Sequence, residues 1–229
     1  MTVRLVSLGA WCRPAHQLRV HAGAQPHCAA PSGPFDWTIT PFAALRACLD
    51  PGFDPGTVLA PGAVAVSHVG SGLCRNSGLI FHHAIAPRVV VAAGPLHPGD
   101  PLPDDGPVRA AVAEARDRFR HVFARLSVLR RTTDRIVFLR WQRQGHPDAR
   151  LPAAFAGESP AVLRQALEGF LGHGGFHLLT MRSEILTDRR KRRGWNGDQT
   201  DSFKGDEHSW GAALERALGL WTRAGRETA

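Results

Sequence analysis

Apolar residues along the chain follow two kinds of spacing, and each kind predicts a type of element. Short apolar runs bounded by glycine or proline predict strands over residues 3–8, 135–141 and 176–181. Apolar positions three and four apart predict helices over residues 12–20, 41–49, 108–130, 160–171 and 206–221. Thr40 and Ser159 stand at the N-cap positions of two of these helices, each directly before a proline at the first helical position.

The middle of the chain, residues 57–93, has the pattern of a β-rich insert. Apolar stretches at 64–68, 78–85 and 88–93 lie between glycine and proline breaks. Strands and helices alternate on either side of this insert. The order predicts an α/β fold, with a mostly parallel central sheet flanked by helices and a β-rich insert in the middle. An α+β arrangement is the alternative.

The chain shows no internal repeat and no clear domain boundary. We therefore expect a single domain over residues 1–229, in which the basic stretch 188–203 forms a mobile loop.

The composition is that of an ordinary globular protein. Of the 229 residues, 43 % are hydrophobic and 21 % are charged, which is enough for a buried core. No window holds 18 uninterrupted apolar residues, and the first ten residues lack the features of a signal peptide. We therefore expect no membrane span and a cytoplasmic location. The four cysteines contain no Cys-x-x-Cys pair and are expected to be free thiols.

The chain carries a formal net charge of +8, which favours anionic partners. Its single dense basic run, residues 189–193, lies in no recognisable nucleic-acid module, and arginine is in general the preferred cation of this chain. The expected partner is therefore an anionic small-molecule or peptide substrate rather than nucleic acid. The oligomeric state is left open by the sequence.

Cys12 is the first candidate for chemistry. It follows the first predicted strand and Gly9, in the opening turn of a predicted helix. The unpaired N–H groups of such a turn favour a thiolate and can donate to a developing oxyanion. The alternative is that Cys12 is a small buried apolar residue, as most free cysteines are.

Two further sets of residues have the chemistry to assist a thiol. His82 and His83 end an apolar strand, and either imidazole has the pKa of a general base, although neighbouring strand residues face opposite ways. Asp36 lies between two aromatic residues, where it either orients a histidine or caps the next helix.

Metal and cofactor patterns are weak in this sequence. Cys12 and His16 are four residues apart on one helical face, but no ligand pair repeats with zinc-site spacing. Phosphate-loop and dinucleotide-binding patterns are absent. We expect no metal and no cofactor, with a metal-dependent enzyme as an alternative.

Several motifs, in order, resemble one bacterial family of unknown function whose members are labelled as papain-like cysteine peptidases. The residues that carry the resemblance are Ser7-Leu-Gly-Ala-Trp-Cys12, Pro34-Phe-Asp-Trp37, Phe81-His-His83, the strand ending at Arg140, and Gly205-Asp206 with Trp210. The resemblance implies Cys12 as nucleophile and His83 as base. The family usually has Asp directly after that histidine, whereas this chain has Ala84, so Asp36 is the substitute candidate for the orienting acid.

The resemblance implies a cysteine-dependent hydrolase or acyltransferase, and it gives a papain-like α+β fold as the alternative to the α/β fold. Because family members are often associated with surface-polysaccharide loci, an acyltransferase acting on a sugar or another small molecule is an alternative to a peptidase. Arg140 is expected either to bind a substrate carboxylate or phosphate or to form a structural ion pair. Trp37 and His82 complete the expected substrate site. A non-catalytic anion-binding module remains a further alternative.

Overall fold

A computed structural model describes residues 2–86, 96–142, 157–182, 210–216 and 218–219. Its strands are β1 (Val3–Ser7), β2 (Cys28–Ala29), β3 (Val64–Val66), β4 (Gly72–Cys74), β5 (Ile80–Phe81), β6 (Arg135–Gln142) and β7 (Phe176–Arg182). Its helices are α1 (Cys12–Ala24), α2 (Phe42–Cys48), α3 (Gly106–Ser127), α4 (Pro160–Leu171) and α5 (residues 210–216). Short 3₁₀ turns cover Pro55–Thr57 and Val128–Arg131.

The central sheet is parallel and has the strand order β2-β1-β6-β7. The chain leaves β1 through α1 and returns as β2 on one side, whereas β6 leads through α4 to β7 on the other side. The direction of winding therefore reverses between β1 and β6. The predicted α/β fold is confirmed, since helices and parallel strands alternate around this sheet.

Alternating residues of the central strands pack against helices on opposite faces of the sheet. Leu5 and Leu139 join a cluster that includes Leu18 of α1 and Trp210 of α5. On the other face, Val6, Phe138 and their neighbours join the larger cluster formed with α2, α3 and α4. Because both faces are covered, the strands are nearly continuous apolar runs, as expected for a parallel sheet.

The predicted β-rich stretch contains a small antiparallel sheet in the order β3-β4-β5. Its strands are shorter than the predicted ones, and β4 was not among the predictions. The predicted strand at 88–93 lies outside the described residues. An isolated bridge between Ile39 and Ile80 joins this sheet to the segment before α2.

The sequence predicts a capping side chain for two helices, and the structure confirms one of the two. Ser159 Oγ accepts a hydrogen bond from Val162 N at 3.4 Å, so the predicted cap of α4 is confirmed. The predicted cap of α2 is wrong, because Pro41 occupies that position and no side chain caps the helix. Thr40 instead shares a hydrogen bond of 2.8 Å with the hydroxyl of Thr38.

The helix that begins at Cys12 is confirmed and runs four residues further than expected, to Ala24. The predicted final helix is seen over residues 210–216, and the basic stretch 188–203 lies outside the described residues. No helix within the described ranges is both long and apolar enough to cross a membrane.

Candidate active site

The turn that presents Cys12 is tight and has an unusual backbone. Between β1 and α1, Gly9 has φ +70° and Ala10 has φ +72°, both in the left-handed region. For alanine this conformation costs about 1 kcal/mol, so the surrounding contacts must hold it. A Cβ on Gly9 would lie 2.7 Å from Thr40 Oγ1, which shows how closely the turn packs on the segment before α2.

Arg140 lies in β6, two residues before the end of the strand, and stabilises this turn through hydrogen bonds. Its side chain is fully buried, and it donates to the carbonyl oxygens of Leu8 at 2.9 Å and Thr40 at 3.0 Å. The guanidinium also forms an ion pair with Glu158, directly before the cap of α4. Of the two roles expected for Arg140 from the sequence, the structure shows the structural ion pair. Because its guanidinium is buried and bonded to protein acceptors, Arg140 is not available to a substrate.

The strand order places Cys12 at the point where the winding of the sheet reverses. In open α/β sheets, ligands bind beyond the carboxyl ends of the strands, where the winding direction reverses. That point in this sheet lies between β1 and β6. Cys12 begins the helix that follows the carboxyl end of β1.

Burial and the local field act on the Cys12 thiol in opposite directions. Burial is the larger influence and raises its pKa, while the N–H of Cys12 itself and the charge of Arg13 lower it. The expected preference for thiolate at a helix start is thus present but outweighed. Because the thiol is protonated at neutral pH, a nucleophilic role for Cys12 requires a base.

His82 and His83 follow β5 and face different neighbours. The ring of His82 lies edge-on to Trp11, the residue before Cys12, with 6.1 Å between centroids. Its Nδ1 is 2.9 Å from Ser71 Oγ. The ring of His83 instead lies edge-on to Trp37 at 5.5 Å.

The two imidazoles are close to each other and uncharged at neutral pH. Their centroids are 5.4 Å apart. Burial lowers the pKa of both rings, and for His82 the nearby His83 lowers it further. Each ring therefore has a nitrogen lone pair available to accept a proton.

Asp36 has partners other than the histidines. Only 3 % of its side chain is exposed, and it forms an ion pair with Arg19 of α1. Its Oδ2 also accepts a hydrogen bond of 2.9 Å from Gly33 N. Burial is the largest influence on this carboxyl and raises its pKa to about 6. These contacts close the 33–36 turn and support no role for Asp36 in orienting a base.

A cleft of about 430 Å³ adjoins His83, between the segment that contains Trp37 and helix α3. Its volume falls within the usual range for small-molecule sites. The lining residues are Gly33, Pro34, Trp37, Thr38, Phe81, His83, Ala84, Ala111, Glu114, Ala115, Arg118, Phe119 and Val122. Trp37 is 36 % exposed, so part of its side chain is open to a ligand. Of the sequence-predicted site residues, Trp37 and His83 line this cleft.

Two features of the site were missed from the sequence. Arg118 lines the cleft, and its charge acts on the buried carboxyl of Asp36. A signal for it exists in the sequence, because the small residues Ala111 and Ala115 are four positions apart and so lie on one face of α3, which lines the cleft. Ser71 gave no such signal, because its contact with His82 depends on the pairing of two strands.

The described ranges contain no group of three His, Cys, Asp or Glu side chains that converges as a metal site requires. Cys12 and His16 share α1, and no third ligand joins them within those ranges.

No curated protein and no solved structure matches this chain. A family model does match, over less than half of the chain. The matched part includes Cys12, Asp36 and the histidine pair, whereas Arg140 and Trp210 lie beyond it. The resemblance that those first motifs indicate is thereby confirmed. Residues 3–92 match the family described as "Putative papain-like cysteine peptidase (DUF1796)".

Proposed function

We propose that this protein performs acyl chemistry with the Cys12 thiol as nucleophile, as a cysteine-dependent hydrolase or acyltransferase. The observation that carries the proposal is the position of Cys12, in the first turn of α1, where the winding of the parallel sheet reverses. The family match over residues 3–92 supports it, as does the contact of its neighbour Trp11 with His82.

The proposed reaction has two stages, formation of a thioester on Cys12 and its cleavage. An imidazole of the histidine pair accepts the proton of the Cys12 thiol while the sulfur attacks an acyl carbon. The carbonyl electron pair moves onto oxygen, where N–H groups of the first turn of α1 donate to it. As the carbonyl reforms, the leaving group takes the proton from the imidazolium, and a thioester remains. Water or an acceptor hydroxyl or amine then gives its proton to the imidazole and attacks the thioester. The departing sulfur takes that proton back from the imidazolium, which restores the thiol and the neutral imidazole.

The cleft beside His83 is the proposed substrate site. Its aromatic lining, chiefly Trp37 and Phe119, suits an apolar part of a small molecule or peptide. Arg118 replaces Arg140 as the proposed partner of an anionic group, since the guanidinium of Arg140 is buried against protein acceptors.

Acylation by an activated ester tests the nucleophile. Intact protein is incubated with p-nitrophenyl acetate, nitrophenolate release is followed, and the acetylated residue is located by mass spectrometry. We expect one rapid equivalent of acetyl on Cys12, and loss of that phase in Cys12→Ala. Cys28→Ala is the matched control, because Cys28 is also a partly exposed thiol whose pKa is raised by burial.

Acetyl spread over several lysines or cysteines, with Cys12→Ala behaving like wild type, would overturn the proposal. It would favour a binding module that uses the basic surface.

The acceptor distinguishes a hydrolase from an acyltransferase. An acyltransferase acting on a sugar should turn over faster when a hydroxyl or amine acceptor is added, with the acetylated acceptor as product. A hydrolase should release acetate at a rate that the acceptor does not change.

A further inference from the structure

The small antiparallel sheet brings Ser71 and His82 together. The register between β4 and β5 pairs Gly72 with Phe81, so the residues just outside this pair, Ser71 and His82, also lie opposite each other. Ser71 is fully buried, and its Oγ is 2.9 Å from His82 Nδ1. The 67–71 turn is fixed by hydrogen bonds from Ser67 N to Ser71 O at 2.7 Å and from Ser71 N to Ser67 Oγ at 3.0 Å.

We propose that His82 is the base for Cys12 and that Ser71 is its positioning residue, in place of the acid missing at Ala84. This inference rests on the proposed function. It reassigns the base from His83, which the family resemblance indicates, to its neighbour.

The contacts of the two rings separate their roles. His82 is half-buried between Trp11 and Ser71, so it is held at the side of the histidine pair that adjoins the Cys12 turn. His83 is the more exposed of the two residues and lies against Trp37 in the cleft wall. The first arrangement suits a fixed base, and the second suits a residue that contacts substrate.

For His82 to act as the base, its neutral ring must carry the proton on Nδ1. When Nδ1–H donates to Ser71 Oγ, the lone pair of Nε2 is free to accept the thiol proton. The Ser71 oxygen then keeps its bond to Nδ1–H in the imidazolium. Because a hydroxyl is neutral, it stabilises the imidazolium less than a carboxylate does. The resting pair is therefore a neutral thiol and a neutral imidazole, and the proton moves only during attack.

The rate of Cys12 acetylation against pH tests this assignment. The groups facing His82 in the described residues are Trp11, Ser71 and the titratable ring of His83. We expect His82→Gln to slow the rate constant at pH 7.5 by about 10²- to 10⁴-fold and to remove its acid-side inflection. We expect His83→Gln to weaken saturation by the ester, with an effect on the rate constant of less than about tenfold. His97→Gln, in an exposed loop, is the control for histidine replacement.

Ser71→Ala tests the positioning role, and nitrogen NMR of ¹⁵N-labelled histidine reads the tautomer directly. We expect wild-type His82 to carry its proton on Nδ1, and the variant to shift toward the Nε2–H tautomer with a slower rate. Ser77→Ala, which also removes a buried hydroxyl near this sheet, should shift neither.

The outcomes separate this inference from the function on which it rests. If Cys12 is acetylated and His83→Gln, rather than His82→Gln, removes the inflection, the inference is overturned and the function stands. An unchanged tautomer in folded Ser71→Ala overturns the role of Ser71. Absence of Cys12 acetylation overturns the function itself.

Discussion

At the scale of single residues, burial decides the roles of the charged side chains. Arg140 and Asp36 are both buried, and the charged group of each forms hydrogen bonds or ion pairs within the protein. An exposed arginine or aspartate at the same sequence position would be free to meet a ligand. The chemistry of the residue types therefore allowed roles, substrate binding for Arg140 and orientation of a histidine for Asp36, that their environments do not support.

Replacement of Arg140 tests its structural role. Arg140→Met leaves the carboxylate of Glu158 buried and unpaired and removes the bonds to Leu8 and Thr40. We expect the free energy of unfolding to fall by about 3–5 kcal/mol in urea titrations. Arg109→Gln, which breaks an exposed ion pair with Asp104, should have a much smaller effect. Equal losses in the two variants would contradict this interpretation.

Asp36 predicts a pH dependence of stability. Burial raises its folded-state pKa to about 6, above the ordinary aspartate value of 3.8, so the folded state holds this proton more tightly. The stabilisation is complete below the unfolded pKa and is lost as the pH rises through the folded pKa. Between pH 3.5 and 7, wild type should lose about 3 kcal/mol of unfolding free energy relative to Asp36→Asn. Urea titrations of both proteins across this range provide the measurement, and a constant difference would refute the prediction.

At the scale of elements, helix α4 follows local rules closely. Ser159 caps its start, and Gly172, with φ +79°, ends it. Its apolar face, which includes Leu163, Leu167 and Phe170, packs into the larger cluster. The boundaries of such an element follow from its own residues, since capping and the 3.6-residue period act within a few positions.

Replacement by alanine should have opposite effects at two glycines, Gly169 inside α4 and Gly172 directly after it. Gly169 is inside the helix, and a Cβ there would meet nothing within 4 Å, so Gly169→Ala should raise the unfolding free energy by about 0.5–1 kcal/mol. Gly172 has the left-handed backbone, so Gly172→Ala should lower it by about 1 kcal/mol. Thermal unfolding of the two variants compares them directly. Changes of the same sign in the two unfolding free energies would contradict a helix that ends before Gly172.

At the scale of the whole molecule, the cleft exists only because distant segments meet. Its walls come from the segment containing Trp37, from His83 after β5, and from α3. The bridge between Ile39 and Ile80 holds the first two together. A ligand at this place would therefore contact residues more than 80 positions apart in sequence, such as Gly33 and Arg118.

Arg118 tests whether the cleft binds an anionic substrate. With a carboxylate-bearing activated ester, Arg118→Gln should raise KM by about tenfold and leave kcat nearly unchanged, because the contact is made equally in the ground and transition states. Arg120→Gln, an exposed position of α3 outside the cleft lining, is the matched control. The difference should shrink with an uncharged ester. An equal KM for wild type and Arg118→Gln with the charged ester would count against this site.

The sequence by itself determined the alternation of strands and helices, the start of α1 at Cys12 and the cap of α4. These features depend on side-chain period, turn residues and capping, all of which act over short distances along the chain. It also indicated the resemblance to the matched family, because the first motifs lie within the matched residues 3–92.

Only the tertiary structure decided what each polar side chain contacts. The register of β4 and β5 sets Ser71 against His82, and the packing of α1 sets Arg19 against Asp36. The parallel pairing of β1 and β6 brings Arg140 under the Cys12 turn. Such contacts join residues far apart in sequence and depend on register and burial, which periodicity along the chain does not specify.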